Sequence, residues 1–160
     1  MLDNRKQNLI DYIESNKSKI YRIAYSYMKN EDLALDTIQD AIEKSIRKIY
    51  SLREEKYMQT WFYRILINQC LTNIKKNKIR QTINIDDYSI ESIDNIDESI
   101  SIYNCIDNLN PKIKTVIILR FFEDMKIDDI ARITNCNINT VKSRLYKGLQ
   151  ELKIKMEESM

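Results

Sequence analysis

The segment KIDDIARI (126–133), TNCN (134–137) and INTVKSRLYKGLQELKIK (138–155) carries the strongest structural signal in the chain. Its first part reads as a short helix, its second as a tight polar break, and its third as a longer helix. That is helix-turn-helix spacing. Asn135 can take the left-handed conformation that many such turns give to glycine. On the longer helix, Ile138, Val141, Leu145, Leu149 and Leu152 fall on one face, which predicts a buried stripe. Asn139, Lys142, Ser143, Tyr146 and Lys147 fall on the opposite face, with Thr140 and Arg144 at its edges. A buried stripe backing a face of hydrogen-bond donors and cations is what a major-groove reader needs, with donors for base edges and cations for phosphates. An ordinary amphipathic helix with a solvated face has the same pattern. Asn137 or Asn139 sits near the N-terminus of this helix, whose positive dipole end suits a phosphate.

Working outward, Asn110 can cap a preceding helix and Pro111 can take its first position, where the missing N–H costs nothing; Ile113 to Phe122 continue it. Nearer the N-terminus, Leu9, Ile13, Ile20, Ala24 and Met28 predict one amphipathic helix. Asn30-Glu31-Asp32 starts the next, with acids in the first turn where they suit the dipole, and Ile38, Ala41, Ile42, Ile46 and Ile49 form its apolar face. A third helix is predicted from Lys56 to about Asn77. From Lys56 through Asn84 there are six bases and no acid, with Tyr57, Trp61, Phe62 and Tyr63 inside the run. Aromatics interleaved with cations suit unstacked nucleic acid, whose bases stack on rings while phosphates meet Lys and Arg. Core burial is the competing fate of the rings, favoured for Phe62 and open for Trp61.

Composition excludes much else. One Gly and one Pro in 160 residues leave too few turn residues for a loop-rich β fold and none for a Gly-rich phosphate loop or a nucleophile elbow. The absence of His removes the commonest general base and the usual zinc ligand. Cys70, Cys105 and Cys136 are widely spaced, contain no CxxC, and read as buried thiols. No metal site, cofactor or catalytic residue is expected. The longest apolar runs are about four residues, far short of the roughly 20 of a spanning helix, and the N-terminus lacks a signal-peptide core. The chain is expected to stay in the cytosol and not to be a membrane protein.

The net charge of +2 conceals a pattern. Residues 1–80 hold 16 Lys/Arg against ten Asp/Glu; residues 81–111 hold seven acids and no base; residues 112–160 hold ten bases against seven acids. Two basic blocks flank an acidic middle, which polyanions repel. The middle, QTINIDDYSIESIDNIDESIS (81–101), lacks a helical period. The expected architecture is therefore all-α: a helical bundle at 1–80, an acidic flexible linker at 81–98, and a helix-turn-helix domain at 99–160.

Four short motifs run through these blocks in order: Asp36-Thr37-Ile38-Gln39-Asp40, Trp61-Phe62-Tyr63-Arg64-Ile65 with Asn68, Ile118-Leu119-Arg120-Phe121-Phe122-Glu123-Asp124 leading into Ile130-Ala131, and Asn139-Thr140-Val141-Lys142-Ser143-Arg144-Leu145. Together they resemble the extracytoplasmic-function (ECF) group of bacterial sigma factors, in the sigma-seventy family, and within it a sigma-V-like subgroup. The resemblance covers roughly residues 8–80 and 100–155.

The resemblance implies a transcription initiation factor with no catalytic centre. It would bind core RNA polymerase at the β′ clamp helices and the β flap, direct it to promoter DNA and assist strand opening. Asp36, Gln39 and Asp40 would dock on the clamp helices. Trp61, Arg64, Asn68, Lys75 and Lys76, with the loop around Ser51 to Gln59, would hold the minus-ten element, and Asn68 would read a flipped base. Asn139, Thr140, Lys142, Ser143, Arg144 and Lys147 would engage the minus-thirty-five element. The acidic linker would follow the polymerase's basic RNA-exit path. A membrane-anchored anti-sigma factor would hold the chain inactive at the membrane, and the subgroup's signal is cell-envelope stress of the lysozyme type.

Two other functions fit parts of the pattern. A helix-turn-helix repressor or activator dimerising through the N-terminal bundle predicts a palindromic site and tight duplex binding without polymerase. A helical scaffold or anti-factor predicts no salt-dependent DNA affinity. An enzyme fits least, because Asp128-Asp129 and Glu54-Glu55 are sequence neighbours whose carboxylates diverge.

Overall fold

The computed structural model describes residues 4–83 and 102–158. Among these the regular structure is helical, with no strand. Eight α-helices follow in order: α1 (Arg5–Ser15), α2 (Lys17–Met28), α3 (Glu31–Arg47), α4 (Met58–Ile83), α5 (Ile102–Asp107), α6 (Pro111–Ile117), α7 (Ile127–Thr134) and α8 (Ile138–Glu158). The expected linker at 81–98 begins on the last turn of α4 and otherwise lies outside the described residues, as does the expected resumption of helix at Ser99.

The predicted caps are in place. The Asn30 side chain accepts from the Leu33 N–H at 2.9 Å, with Glu31 and Asp32 in the first turn of α3 and Lys44 and Arg47 in its last. Each charge thus meets the favourable end of the dipole. The Asn110 side chain accepts from the Lys112 N–H at 2.9 Å with Pro111 opening α6. Asn135 closes α7 in the left-handed region at φ 54°, and the Asn137 side chain accepts from the Thr140 N–H at 2.7 Å to start α8.

The single first helix expected from Leu9 to Met28 is two. The chain breaks at Asn16, whose N–H donates to the Ile13 carbonyl and whose side chain donates to the Tyr12 carbonyl at 2.8 Å. A short amide side chain competes for the carbonyls that the helix would otherwise use, and apolar periodicity alone does not reveal that competition. α2 then ends at Lys29, a non-glycine residue at φ 60°. The stretch from Ile113 to Phe122 also changes form. α6 gives way to a five-residue π-type turn, Ile118–Phe122, in which the Glu123 N–H reaches the Ile118 carbonyl. Arg120 pins the exit of that turn by donating to the Met125 carbonyl at 3.0 Å.

In the N-terminal unit α2, α3 and α4 pack around Leu9, Ile20, Ile23, Ala24, Ala41, Phe62 and Leu66, all nearly or fully buried. In the C-terminal unit α8 packs on α6 and α7 around Val116, Ile117, Leu119, Ile130, Ile133 and Val141. The stripe on α8 is corrected in part. Val141, Leu145 and Leu152 are buried as expected, but Ile138 and Leu149 are 41% and 46% exposed. Gly148 takes the buried place between Leu145 and Leu152. A Cβ there would lie 2.8 Å from Ile113 Cγ2 and 2.9 Å from Ile117 Cδ1. The lack of a side chain thus lets α6 approach α8 closely and rotates Leu149 outward.

Cys70 and Cys105 are buried as expected, whereas Cys136 is half-buried. Burial pushes the Cys70 thiol up to about 12, so it stays a protonated, unreactive core group near neutrality.

Candidate nucleic-acid interface

Three surfaces carry the residues singled out from the sequence. The first is the exposed side of α8. Asn139, Lys142, Ser143, Tyr146 and Lys147 are exposed, and Thr140 and Arg144 are half-buried at the edges. Burial of Val141, Leu145, Gly148 and Leu152 against α6 and α7 forces this face outward. Arg144 is less free than its neighbours, because its guanidinium donates to Cys136 Sγ at 3.2 Å. Among the described residues this face has cations and donors and no acid before Glu151.

The second surface is a hollow of about 400 Å³ at the junction of α3 and α4. It is lined by Lys44, Lys48, Ser51, Trp61, Arg64, Ile65 and Asn68. Trp61, Arg64 and Asn68 recur at helical spacing on one side of α4, which is why one cavity gathers them. The Trp61 ring is half-buried. Its indole N–H donates to Ser51 Oγ at 3.1 Å, and that hydroxyl donates to the Lys48 carbonyl at 2.7 Å. The ring is thereby fixed as one wall. Phe62 and Tyr63, by contrast, are fully buried, so of the aromatic cluster Trp61 is the ring that walls the hollow, while the Tyr57 ring is already met by the Lys56 ammonium and the Arg132 guanidinium. Lys75 and Lys76 are exposed but do not line this hollow. Lys75 lies 14 residues beyond Trp61, about 21 Å along the helix. Lys44 and Lys48 were not singled out from the sequence. Their signal was the run of bases Lys44, Arg47 and Lys48 at the end of α3, which reads equally as dipole compensation.

The third surface is the exposed face of α3, where Asp36, Gln39 and Asp40 sit together beside Leu35, itself 49% exposed. A hydrogen-bond chain from α4 backs this face. Gln69, nearly buried, donates to Asn73 Oδ1 at 2.9 Å. Asn73 Nδ2 donates to Thr37 Oγ1 at 2.9 Å and to Asp40 Oδ2 at 3.3 Å, and Thr37 Oγ1 donates to the Leu33 carbonyl at 2.8 Å. Lys76 joins Asp36, Asp40 and Asn73 around a smaller hollow of about 140 Å³, so the structure places it with the acids and not with Trp61. The role of Asn73 is tertiary and was not visible in the sequence. Asn73→Ala leaves the buried Gln69 and Thr37 short of a partner and is expected to lower the unfolding free energy by about 1–3 kcal/mol. Urea denaturation checks this, and an unchanged midpoint would show the network to be idle.

Among the described residues there is no cluster of His, Cys, Asp or Glu able to hold a metal ion, and no helix long and apolar enough to cross a membrane.

Comparison with known proteins bears on these surfaces as a set. Residues 12–79 match the model of sigma-70 region 2, and residues 99–152 match that of sigma-70 region 4. The first match holds the α3 face and the α3–α4 hollow; the second holds α7 and the exposed row of donors and cations on α8. The chain is 37% identical over 155 residues to the RNA polymerase sigma factor SigV of Bacillus subtilis, covering 94% of this chain and 92% of that protein. It is 26% identical to the ECF sigma factor SigW of the same organism, covering 92% and 88%. Its fold is shared with the sigma factor RpoE of Bartonella quintana, solved with the anti-sigma factor NepR, at a TM-score of 0.73 over 92% of this chain and 95% of that one, with 20% identity. CnrH, solved with the cytosolic domain of CnrY, superposes with a TM-score of 0.72 over 95% and 89% at 12% identity. The all-α architecture expected from the sequence is the one observed, and the chain belongs to the ECF group of the sigma-70 family of RNA polymerase sigma factors.

Proposed function

We propose that the chain binds core RNA polymerase, directs it to promoters with separated minus-ten and minus-thirty-five elements, and assists opening of the duplex. The observation that carries this reading is the coexistence of two different nucleic-acid surfaces in one chain. One is a convex row of donors and cations on α8, suited to a duplex groove. The other is a hollow walled by Trp61 and Asn68 with Lys44, Lys48 and Arg64 at hand, suited to an extruded base and its phosphates. A simple duplex-binding repressor has no use for the second.

In this reading residues 1–80 hold the polymerase and the minus-ten element, 81–98 connect, and 99–160 hold the minus-thirty-five element. Asp36, Gln39 and Asp40 meet a basic polymerase surface, where complementary charge sets register and encounter rate. Lys142, Ser143 and Lys147 face bases; Asn139, Thr140 and Arg144 face the backbone. Lys75 and Lys76 lie outside the hollow, and their contribution is to phosphates further along the strand. The complex of one neighbour with an anti-sigma factor supports control by such a partner here, membrane-anchored and releasing the chain under envelope stress.

The minus-ten assignment has a direct test. Asn68→Ala is expected to change the base preferred at one minus-ten position while leaving affinity for core polymerase unchanged, because Asn68 is exposed in the hollow and does not line the smaller hollow that holds Asp36 and Asp40. Competition transcription on a set of single-base promoter variants reads the first quantity, and fluorescence titration with core polymerase reads the second. A loss of polymerase affinity with unchanged base preference would overturn the assignment.

A further inference from the structure

A further concavity, separate from the three surfaces above, opens beside α2 against α5, α6 and the π-type turn. It is an apolar hollow of about 430 Å³, within the roughly 300–1,000 Å³ of small-molecule sites. A spacing of four puts Tyr21 and Tyr25 on one side of α2, and their rings stack with centroids 5.8 Å apart. Ile106, Ile118 and Phe122 complete the apolar walls. Ile106 and Ile118 are buried, whereas Tyr25 and Phe122 are 43% and 37% exposed, so the hollow has a closed floor and an open rim.

Charge gathers at its edge in two groups. Arg22 and Glu123 form a matched pair, the carboxylate accepting from Nε and Nη2 at 3.1 and 2.8 Å. The other group is not matched. Lys29, which closes α2 in the left-handed region, pairs with Asp107. Lys114 of α6 lies 3.4 Å from the same carboxylate, and its ammonium also donates to the Ser26 carbonyl and sits 5.2 Å above the Tyr27 ring. Two ammonium groups thus share one carboxylate, and all three residues line the hollow. The carbonyls ending α2 add only a partial negative charge. One cation is left without a full counter-charge, beside a Lys114 side chain that is 8% exposed. Burial pulls both ammonium groups down to about 8, and the Lys114 charge adds to the effect on Lys29.

The two parts together select a ligand class. A surplus of one positive charge suits a monoanion. A carboxylate carries that single charge at neutral pH, whereas a phosphate monoester carries about −1.5 to −2 and would leave excess charge half-buried. The two carboxylate oxygens can accept from both ammonium groups. The adjoining walls reward apolar surface withdrawn from water. We propose that this hollow binds a monocarboxylate with a medium-length aliphatic tail, its head on Lys29 and Lys114 and its tail between the Tyr21–Tyr25 pair and Ile118 and Phe122. The site does not depend on the promoter reading, since none of its residues belongs to the three surfaces described above.

Isothermal titration calorimetry of the full chain with octanoate, octanol, octylammonium and octyl phosphate, all below their micellar concentrations, tests this by holding the tail constant and changing the head. Octanoate is expected to bind at one site per chain, at least about tenfold more tightly than octanol or octylammonium and no more weakly than octyl phosphate. Decanoate is expected to gain about fourfold per added methylene over octanoate, the increment for a buried CH₂. Lys29→Gln is expected to bring octanoate down to the affinity of octanol, and Lys29→Arg to restore the difference. Tyr25→Ser is expected to weaken octanoate and decanoate severalfold by removing half of the stacked wall. Both positions are partly exposed, and helix content by circular dichroism is expected to stay that of the wild type. Octanol or octylammonium binding as tightly as octanoate would make the hollow a plain apolar contact surface and overturn the assignment. Octyl phosphate binding more than about tenfold tighter than octanoate would overturn the monocarboxylate. Absence of one-site binding, or octanoate affinity unchanged in both folded variants, Lys29→Gln and Tyr25→Ser, would overturn the site itself.

Discussion

Gly148→Val is expected to destabilise the C-terminal unit by about 2–4 kcal/mol and to abolish promoter use at temperatures where the wild type works. The position is in the middle of α8, where exchanging glycine for another residue ordinarily gains up to about 1 kcal/mol of helix propensity. Here the gain is overwhelmed. Even a Cβ would meet Ile113 Cγ2 at 2.8 Å and Ile117 Cδ1 at 2.9 Å, and valine adds two further methyl groups to a fully packed seam. Ile113 Cγ2 is attached directly to a branched Cβ and has little freedom to withdraw. α6 must therefore move away from α8, and Val116 and Ile117 lose their cover. The check is urea or thermal unfolding of the full chain, where a loss of this size lowers the midpoint by several degrees. An unchanged midpoint would mean that the α6–α8 approach is looser than the structure has it.

The second large effect is on DNA. Replacing Lys142 and Lys147 together by alanine is expected to weaken binding to the minus-thirty-five element by about 2–6 kcal/mol if each reads a base, at about 1–3 kcal/mol per contact. Both side chains are exposed and neither supports the core of α8, so folding stability should not change. The salt dependence separates the two kinds of contact. A lysine on phosphate reduces the slope of log affinity against log salt by about 1 when removed, and its loss weakens all sequences alike. A lysine on a base edge relaxes specificity at that position. Fluorescence anisotropy on cognate and scrambled duplexes at several salt concentrations reads both. Binding of the double variant indistinguishable from wild type on every duplex would remove α8 as the recognition helix.

Much of the fold was legible because its determinants are local. Asn30 and Asn110 cap helices through their own side chains, and Asn135 turns the chain through its own backbone. These effects act within a few residues, so sequence order exposes them. Determinants that depend on a distant partner were not legible. Gly148 is buried, and Leu149 is not, because of where α6 lies. Helical periodicity defines a stripe only to within a residue position or so, and the tie is broken by close approach. Tyr63 and Trp61 are two residues apart with opposite fates, since α4 turns Tyr63 into the core and leaves Trp61 at the rim. The break at Asn16 is a contest between a side-chain amide and the helix for the same carbonyls, too evenly matched for a pattern to decide.

The candidate sites divide the same way. The α8 face followed from spacing because one helix holds all its members. The hollow needed two elements, so Lys44 and Lys48 entered only with the packing of α3 against α4. Lys76 matched a basic run in the sequence, yet its position at the far end of α4 puts it among Asp36, Asp40 and Asn73. The contact of the two units through α2 had no sequence signal. Arg22, Lys114 and Glu123 are single charges on separate helices, each of which reads as solvated until the partner is in view.

The central claim is that this chain gives a polymerase its promoter. The direct measurement is multiple-round run-off transcription by purified core RNA polymerase, with and without the chain, on templates carrying paired minus-ten and minus-thirty-five elements from a library. The expected result is a transcript of defined start that requires the chain, and that is lost when either element is scrambled. Transcription no different from that of core polymerase alone on every template, with the chain folded and present in excess, would contradict the account.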